Sequence, residues 1–149
     1  MLQNVLIEIF DRDLAKLKAE IEAYENEGDL WSVEGEIPNS AGNLCLHLAG
    51  NLRHFFGAIL GGTGYMRDRD AEFASKFVPR ALLVKEVEAA TSDVRSVLEK
   101  ITDEDLQKNY PIEVFGHPMT TEFFVVHLAT HLNYHLGQIN YHRRFLSNK

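Results

Sequence analysis

The sequence predicts an all-α protein, an up-and-down bundle of four helices. Three observations favour this class. Apolar residues recur at helical spacing in four long stretches, almost no stretch alternates as a strand would, and no repeat or linker divides the 149 residues. A chain of this length can bury a sizeable core by itself, so we expect a single domain over 1–149.

The first two helices are separated by a loop. An apolar stripe runs through 2–24, and charged residues fill most of its gaps. The segment 30–42 contains a proline and two glycines, which is typical of a loop. The second helix is predicted over 41–60, and the following Gly61-Gly62 is typical of a helix end.

The second half of the chain continues the same pattern. The polar segment 63–78 is predicted to cross the surface, and a proline then begins a third helix over 79–101. A short helical turn is expected over 102–108. The segment 110–121 is predicted to be extended and can form a small hairpin, although its two prolines limit the strands. The last helix is predicted over 121–146.

Composition excludes several classes of function. The net charge is −7, which argues against nucleic acid as a partner, because phosphate binding needs a concentrated basic surface. No run of about 18 apolar residues is present, so no membrane partner is expected. The N-terminus has no basic region of the kind that begins a signal peptide, which predicts a cytoplasmic location. Cys45 is the only cysteine, so no internal disulfide can form.

Three histidines follow one another along the last helix. His127, His131 and His135 are each four residues apart. One such step advances about 40° around a helix and rises about 6 Å. An adjacent pair can therefore reach one metal ion, whereas the outer two are about 12 Å apart and cannot. Spacing alone leaves open which adjacent pair binds.

A second helix must complete such a site. His47 lies beside the apolar stripe of the second helix and is the natural third ligand, whereas His54 is about 10 Å further along. Taken singly, His47 is more often a core histidine that is hydrogen-bonded to a neighbour. His117 is expected in a solvated turn, His142 near the bundle end in contact with solvent, and Cys45 as a buried structural thiol.

Two motifs carry a family resemblance. "NLCLHLAGNLRHF" and, far downstream, "HLATHLNYHLGQI" resemble the DinB/YfiT-like superfamily of metal-dependent enzymes, and the likeness covers essentially the whole chain. The resemblance implies that His47, His131 and His135 hold one divalent ion, for which zinc and nickel are the first candidates. In this assignment His127 lies one turn away from the ligands. Members of the superfamily often have a histidine at the position of Tyr134, and this difference does not disturb the triad. The resemblance also implies a frequently dimeric four-helix bundle.

The expected site suits catalysis. Three neutral histidines leave a divalent ion with an open position, which can take water for hydrolysis or a thiol for S-transfer. Characterised members of the superfamily include thiol-S-transferases and isomerases. The resemblance therefore implies a small-molecule substrate and a low-molecular-weight thiol as cosubstrate. His127, Asn51, Tyr134 and Gln138 lie within a turn of the ligands and could orient them or the substrate. The alternative is a non-catalytic, metal-stabilised dimeric module, for example a stress-associated one.

Overall fold

The computed structural model describes residues 2–147, and the regular structure in this range is helical. The six α-helices are α1 (Leu2–Ala23), α2 (Ala41–Leu52), α3 (Arg69–Ala74), α4 (Arg80–Leu98), α5 (Asp103–Gln107) and α6 (Thr121–Leu146). Residues 2–147 contain no β-strand, so the all-α prediction is confirmed. None of these helices is long and apolar enough to cross a lipid bilayer.

The four longest helices enclose the core. α1 packs against α4 and α6, and α2 packs against the same two helices. The centre is filled by fully buried side chains such as Phe10, Leu48 and Phe56. The rings of Phe10 and Phe56 meet edge to face, with their centroids 5.2 Å apart. The contact between α2 and α6 brings together the two helices that carry the histidine motifs.

Side chains fix where the helices begin. The hydroxyls of Ser40 and Thr120 each accept a hydrogen bond from the backbone amide three residues further on, at the starts of α2 and α6. Thr102 and Asp105 form a reciprocal capping box at the start of α5. Pro79 stands immediately before α4, where its missing N–H leaves no helical hydrogen bond unmade.

The second predicted helix changes its hydrogen bonding half-way. The segment 41–60 is helical throughout, but Arg53–Leu60 forms a π-helix instead of continuing α2. Gly57 lies in this widened segment, and a Cβ atom there would be 2.6 Å from the Asp93 carboxylate of α4. The π-helical turns thus run closely past α4. The pattern of apolar side chains did not indicate the change, because both helix types bury one face.

The segment predicted to cross the surface contains α3. Asp68 caps this six-residue helix through a hydrogen bond from the amide of Ala71. Glu72 of α3 is 6% exposed, so part of the segment 63–78 turns inward against α2. The prediction of a surface crossing was therefore incomplete.

The hairpin expected before the last helix is reduced to one antiparallel bridge, between Asn109 and Thr120. Tyr110 donates its amide to the carbonyl of Met119 over 2.9 Å. The ladder extends no further, as expected for a segment in which Pro111 and a second proline lack the N–H that a strand needs. In the predicted loop 30–42, the first residues belong to a 3₁₀ turn over Glu27–Trp31.

Candidate functional site

Three histidines converge where α2 packs against α6. One ring nitrogen each of His47, His131 and His135 can be chosen so that all three lie within 4.8 Å of one another. The Nε2 atoms of His47 and His131 are 3.2 Å apart. His47 is 7% exposed, and the two histidines of α6 are half-buried. The helices thus bring together the residues that the sequence singled out, and whether they hold an ion stays a prediction.

Glu72 fixes the orientation and the proton of His47. Its Oε1 atom lies 3.0 Å from Nδ1 of His47. Burial alone would raise the pKa of Glu72, but hydrogen bonds from His47 and Arg67 outweigh burial and lower it. An ionised carboxylate only accepts hydrogen bonds, so Nδ1 of His47 carries the proton. In the neutral ring, the Nε2 atom of His47 is then left with a lone pair that faces His131.

Arg67 and Gly50 hold Glu72 in place. Arg67 donates from Nε to Oε2 over 2.8 Å and from Nη2 to Oε1 over 2.9 Å, the bidentate geometry that guanidinium favours. Gly50 lies inside α2, and a Cβ atom there would be 2.0 Å from Oε2 of Glu72. The carboxylate reaches His47 because this helical position has no side chain.

Sequence reasoning missed Glu72. It lies in a polar segment that contains several acidic residues, and nothing in its spacing relates it to His47. The usable signal was Gly50, a glycine within a helix three residues after His47. Such a glycine often marks the close approach of another group.

Gln138 fixes the proton of His135 in the same way. Its carbonyl oxygen Oε1 lies 2.7 Å from Nδ1 of His135 and accepts the hydrogen bond. Burial lowers the pKa of His135, although this bond acts in the opposite direction. His135 therefore also has its Nε2 lone pair available.

His131 is the most strongly perturbed of the three histidines. Burial, followed by the neighbouring His135 and His47, lowers its pKa to about 4. Its imidazole is therefore neutral near pH 7. Its Nδ1 atom is buried and has no hydrogen-bond partner among residues 2–147. Neutral rings with converging lone pairs are the donor set that a transition-metal cation prefers.

The spacing of one pair of nitrogens fits such an ion. Two histidine nitrogens on tetrahedral zinc, each at 2.0–2.1 Å, are separated by about 3.3–3.4 Å. The 3.2 Å between Nε2 of His47 and Nε2 of His131 is close to this value. The donor set contains no carboxylate among its three members, so it would not neutralise a divalent charge.

The remaining predicted site residues lie around the triad. His127 is half-buried and contacts two phenylalanine rings, of which Phe124 stacks on it with centroids 5.9 Å apart. Asn51 is 7% exposed, and its Oδ1 atom has no hydrogen-bond partner among residues 2–147. The ring of Tyr134, 65% exposed, contacts that of His135 at 5.2 Å between centroids. Their support of the ligands stays a prediction.

His142 is not the solvent-exposed residue that we predicted. It is buried, its Nε2 atom lies 2.9 Å from the carbonyl of Ser32, and its Nδ1 atom lies 2.6 Å from the hydroxyl of Tyr24. The prediction was wrong because the residues after α1 fold back over the end of α6. Cys45 is fully buried, and burial raises the pKa of its thiol to about 12, as expected for a structural residue.

A cavity of about 660 Å³ borders the triad on one side. His135 and Gln138 form part of its wall. We call it the apolar cavity, because most of the remaining wall is Ile37, Pro38, Leu44, Tyr134, Tyr141 and Phe145. The triad thus borders this cavity through His135.

Residues 5–149 match the sequence model of a family described as "Protein of unknown function (DUF1572)". No curated protein matches the chain. The family description assigns no reaction, so the function has to be inferred from the site itself.

Proposed function

The chain belongs to the DUF1572 family, and we propose that it is a DinB/YfiT-like metal-dependent enzyme. In this proposal one domain, a four-helix bundle, holds a single divalent ion, zinc or nickel, on His47, His131 and His135. One observation carries the proposal. Nε2 of His47, whose Nδ1 is hydrogen-bonded to Glu72, faces Nε2 of His131 across 3.2 Å.

A hydrogen bond between the two rings is the alternative to an ion. Nε2 of His131 would then donate its proton to Nε2 of His47. One proton can join only two of the three nitrogens, whereas an ion can bind all three. The group within 4.8 Å includes His135, whose Nδ1 proton is already engaged by Gln138. An ion therefore accounts for the convergence of all three rings, whereas a hydrogen bond accounts for two.

The donor set favours catalysis over a purely structural role. Structural zinc sites are usually closed by four protein ligands, and three neutral histidines leave a position open. A bound ion would supply Lewis acidity that favours the deprotonated form of water or of a thiol. Glu72 and Gln138 would hold their histidines in the ligating tautomer. The exposed hydroxyl of Tyr134 could donate a hydrogen bond to a substrate. S-transfer from a low-molecular-weight thiol and hydrolysis are the two reactions proposed.

Metal analysis tests the site. Protein purified without an affinity tag is expected to carry about one divalent ion per chain, and His47→Ala, His131→Ala and His135→Ala should each lose it. His117→Ala is the matched control, because His117 lies in an exposed turn and should not affect the metal content. Full occupancy in the triple alanine variant would refute the site.

Turnover is tested separately. The metal-loaded protein is mixed with a panel of low-molecular-weight thiols and an electrophile, and with ester and amide substrates. Metal-dependent conjugation supports S-transfer, and metal-dependent cleavage supports hydrolysis. If chelation lowers the melting temperature while neither reaction appears, the ion only stabilises the fold.

A homodimer is proposed on the resemblance alone, and a cytoplasmic location on the single free cysteine, which suits a reducing compartment. Light scattering coupled to size-exclusion chromatography tests the first. A mass corresponding to one chain of 17.0 kDa at micromolar concentration would contradict it.

A further inference from the structure

We infer that the apolar cavity binds a neutral apolar or aromatic portion of the substrate whose polar end reaches the histidine triad. This inference rests on the proposed function and names the substrate class of that same site. It starts from the position of the cavity. His135 belongs both to the cavity wall and to the triad. A molecule in the cavity therefore contacts His135, one of the three proposed ligands.

The cavity has the size of a small-molecule site. Its volume of about 660 Å³ lies within the range of roughly 300–1,000 Å³ that ligand pockets occupy. Its walls come mainly from two parts of the chain, and α2 adds Leu44. The loop before α2 supplies Ile37 and Pro38, and α6 supplies Tyr134, Tyr141 and Phe145. A groove between two such walls can surround a ring or an alkyl chain on both sides.

The aromatic side chains of the wall are largely exposed. Tyr134 is 65% exposed, Tyr141 73% and Phe145 58%. These positions are seven and four residues apart, so they share one face of α6. Large apolar side chains gathered on one exposed face usually mark a binding site.

Charge selects a neutral occupant. Among residues 2–147, the wall contains no lysine or arginine, and Glu36 is its one acidic side chain. A carboxylate or phosphate in the cavity would meet the charge of Glu36, and Arg144 lies beside the wall with its guanidinium over the ring of Tyr141, 5.5 Å from the centroid. A neutral aromatic or aliphatic group loses no ionic hydration on entry and gains by the burial of its surface. A negatively charged end of the substrate must therefore lie at the triad.

The test uses two probes, so that a failure of the proposed cavity ligand can be distinguished from a failure of the proposed metal site. The first is the neutral fluorophore N-phenyl-1-naphthylamine, titrated into protein with and without chelator. We expect binding of one molecule per chain that does not depend on the metal. Tyr141→Asp and Ile37→Asp, which place a charge on the two opposite walls, should each weaken binding about tenfold or more.

Phe123→Asp is the matched control for Tyr141→Asp. Phe123 is an aromatic residue of the same helix, is 57% exposed and does not line the cavity. It should leave the affinity for the fluorophore unchanged. Circular dichroism verifies that all three variants remain folded.

The second probe is a series of straight-chain alkanethiols, bound to cobalt(II)-loaded protein and followed by its visible absorption. Affinity should rise about fourfold for each added methylene group. This rise should disappear in Tyr141→Asp while the shortest thiol still binds. Loss of cobalt binding with intact fluorophore binding would refute the proposed function and leave the cavity's preference for neutral ligands standing.

Three results would overturn the inference. The first is absent fluorophore binding, or binding that Tyr141→Asp and Ile37→Asp leave unchanged. The second is an alkanethiol affinity that does not depend on chain length. The third is a wild-type dimer that Tyr141→Asp, but not Phe123→Asp, converts to monomers. That result would assign the surface to a second copy of the chain.

Discussion

Replacing Gly50 with alanine should damage the protein, although the same change usually stabilises a helix. Alanine inside a helix is favoured over glycine by about 0.5–1 kcal/mol. At Gly50 the new Cβ would lie 2.0 Å from Oε2 and 2.7 Å from Cδ of Glu72. The carboxylate would have to retreat by more than 1 Å to reach an ordinary contact distance.

The carboxylate of Glu72 has little freedom to retreat. It is 6% exposed and engaged by Arg67 through two hydrogen bonds and by His47 through one. Losing one such bond to a charged group costs about 2 kcal/mol. After the gain in helix propensity of up to about 1 kcal/mol, we expect a net destabilisation of about 1 kcal/mol.

Gly137→Ala is the control. Gly137 lies within α6, and a Cβ atom there would meet nothing within 4 Å. This variant should be stabilised by about 0.5–1 kcal/mol. The two alanine variants should therefore differ by about 2 kcal/mol in the free energy of unfolding. Urea denaturation of the metal-free proteins measures this difference, provided that the slope with denaturant is the same in both.

Metal affinity gives a second measurement on the same pair. Displacing Glu72 removes the acceptor that fixes the tautomer of His47, and the loss of such a partner weakens metal binding about 10–100-fold. Competition with a chelator of known affinity should show this loss for Gly50→Ala and not for Gly137→Ala. Equal stabilisation of both variants, with equal metal affinity, would refute the role given to Gly50 and Glu72.

Three further predictions concern charge, pH and reactivity. Glu72→Gln keeps the size of the side chain but removes its charge, so metal affinity in the same competition assay should fall about 10–100-fold, and a change below about threefold would contradict this. The folded pKa of His131 is about 4, below the unfolded value of about 6.5. The unfolded chain therefore takes up the proton first, and His131 should contribute up to about 3 kcal/mol to the fall in the free energy of unfolding of the metal-free protein between pH 6.5 and 4. Urea denaturation across this range measures the decline, which His131→Gln should reduce; a profile equally steep in the variant would speak against it. Cys45, buried and with a raised pKa, should react with a thiol reagent only after denaturant is added, and rapid labelling of the native protein would disagree with its burial.

The long helices were predictable because each buries a continuous stripe. The pattern over 2–24 corresponds to α1, the pattern after Pro79 to α4, and the last pattern to α6. Each stripe is long enough to outweigh local irregularities. The end of the second helix was less predictable, because the π-helical segment Arg53–Leu60 buries apolar residues much as an α-helix would.

The short elements were missed for a different reason. α3 has six residues, which is too few for a periodic pattern, and its buried side chain is the charged Glu72. A charged residue normally predicts exposure, and only its partners His47 and Arg67 make burial tolerable. His142 was misjudged similarly, since its burial depends on Tyr24 and Ser32, which are far away in the sequence.

For the site, spacing identified the histidines but not what supports them. The step of four residues placed His131 and His135 on one face, and the resemblance chose this pair over His127 and His131. Gln138 was recognised because it is local, three residues after His135. Glu72 comes from another helix, and sequence spacing carries no information about a contact that only the tertiary fold creates.

The three histidines are held unequally, which bears on the kinetics of metal exchange. Glu72 restrains the ring of His47 and Gln138 restrains that of His135, whereas Nδ1 of His131 has no such anchor within residues 2–147. A ring without an anchor rotates about its side-chain bonds at lower cost. His131 would therefore be the first ligand to dissociate from the ion during exchange with a chelator or another metal. The lifetime of a bound ion would then be governed by this one imidazole, while the equilibrium affinity depends on all three.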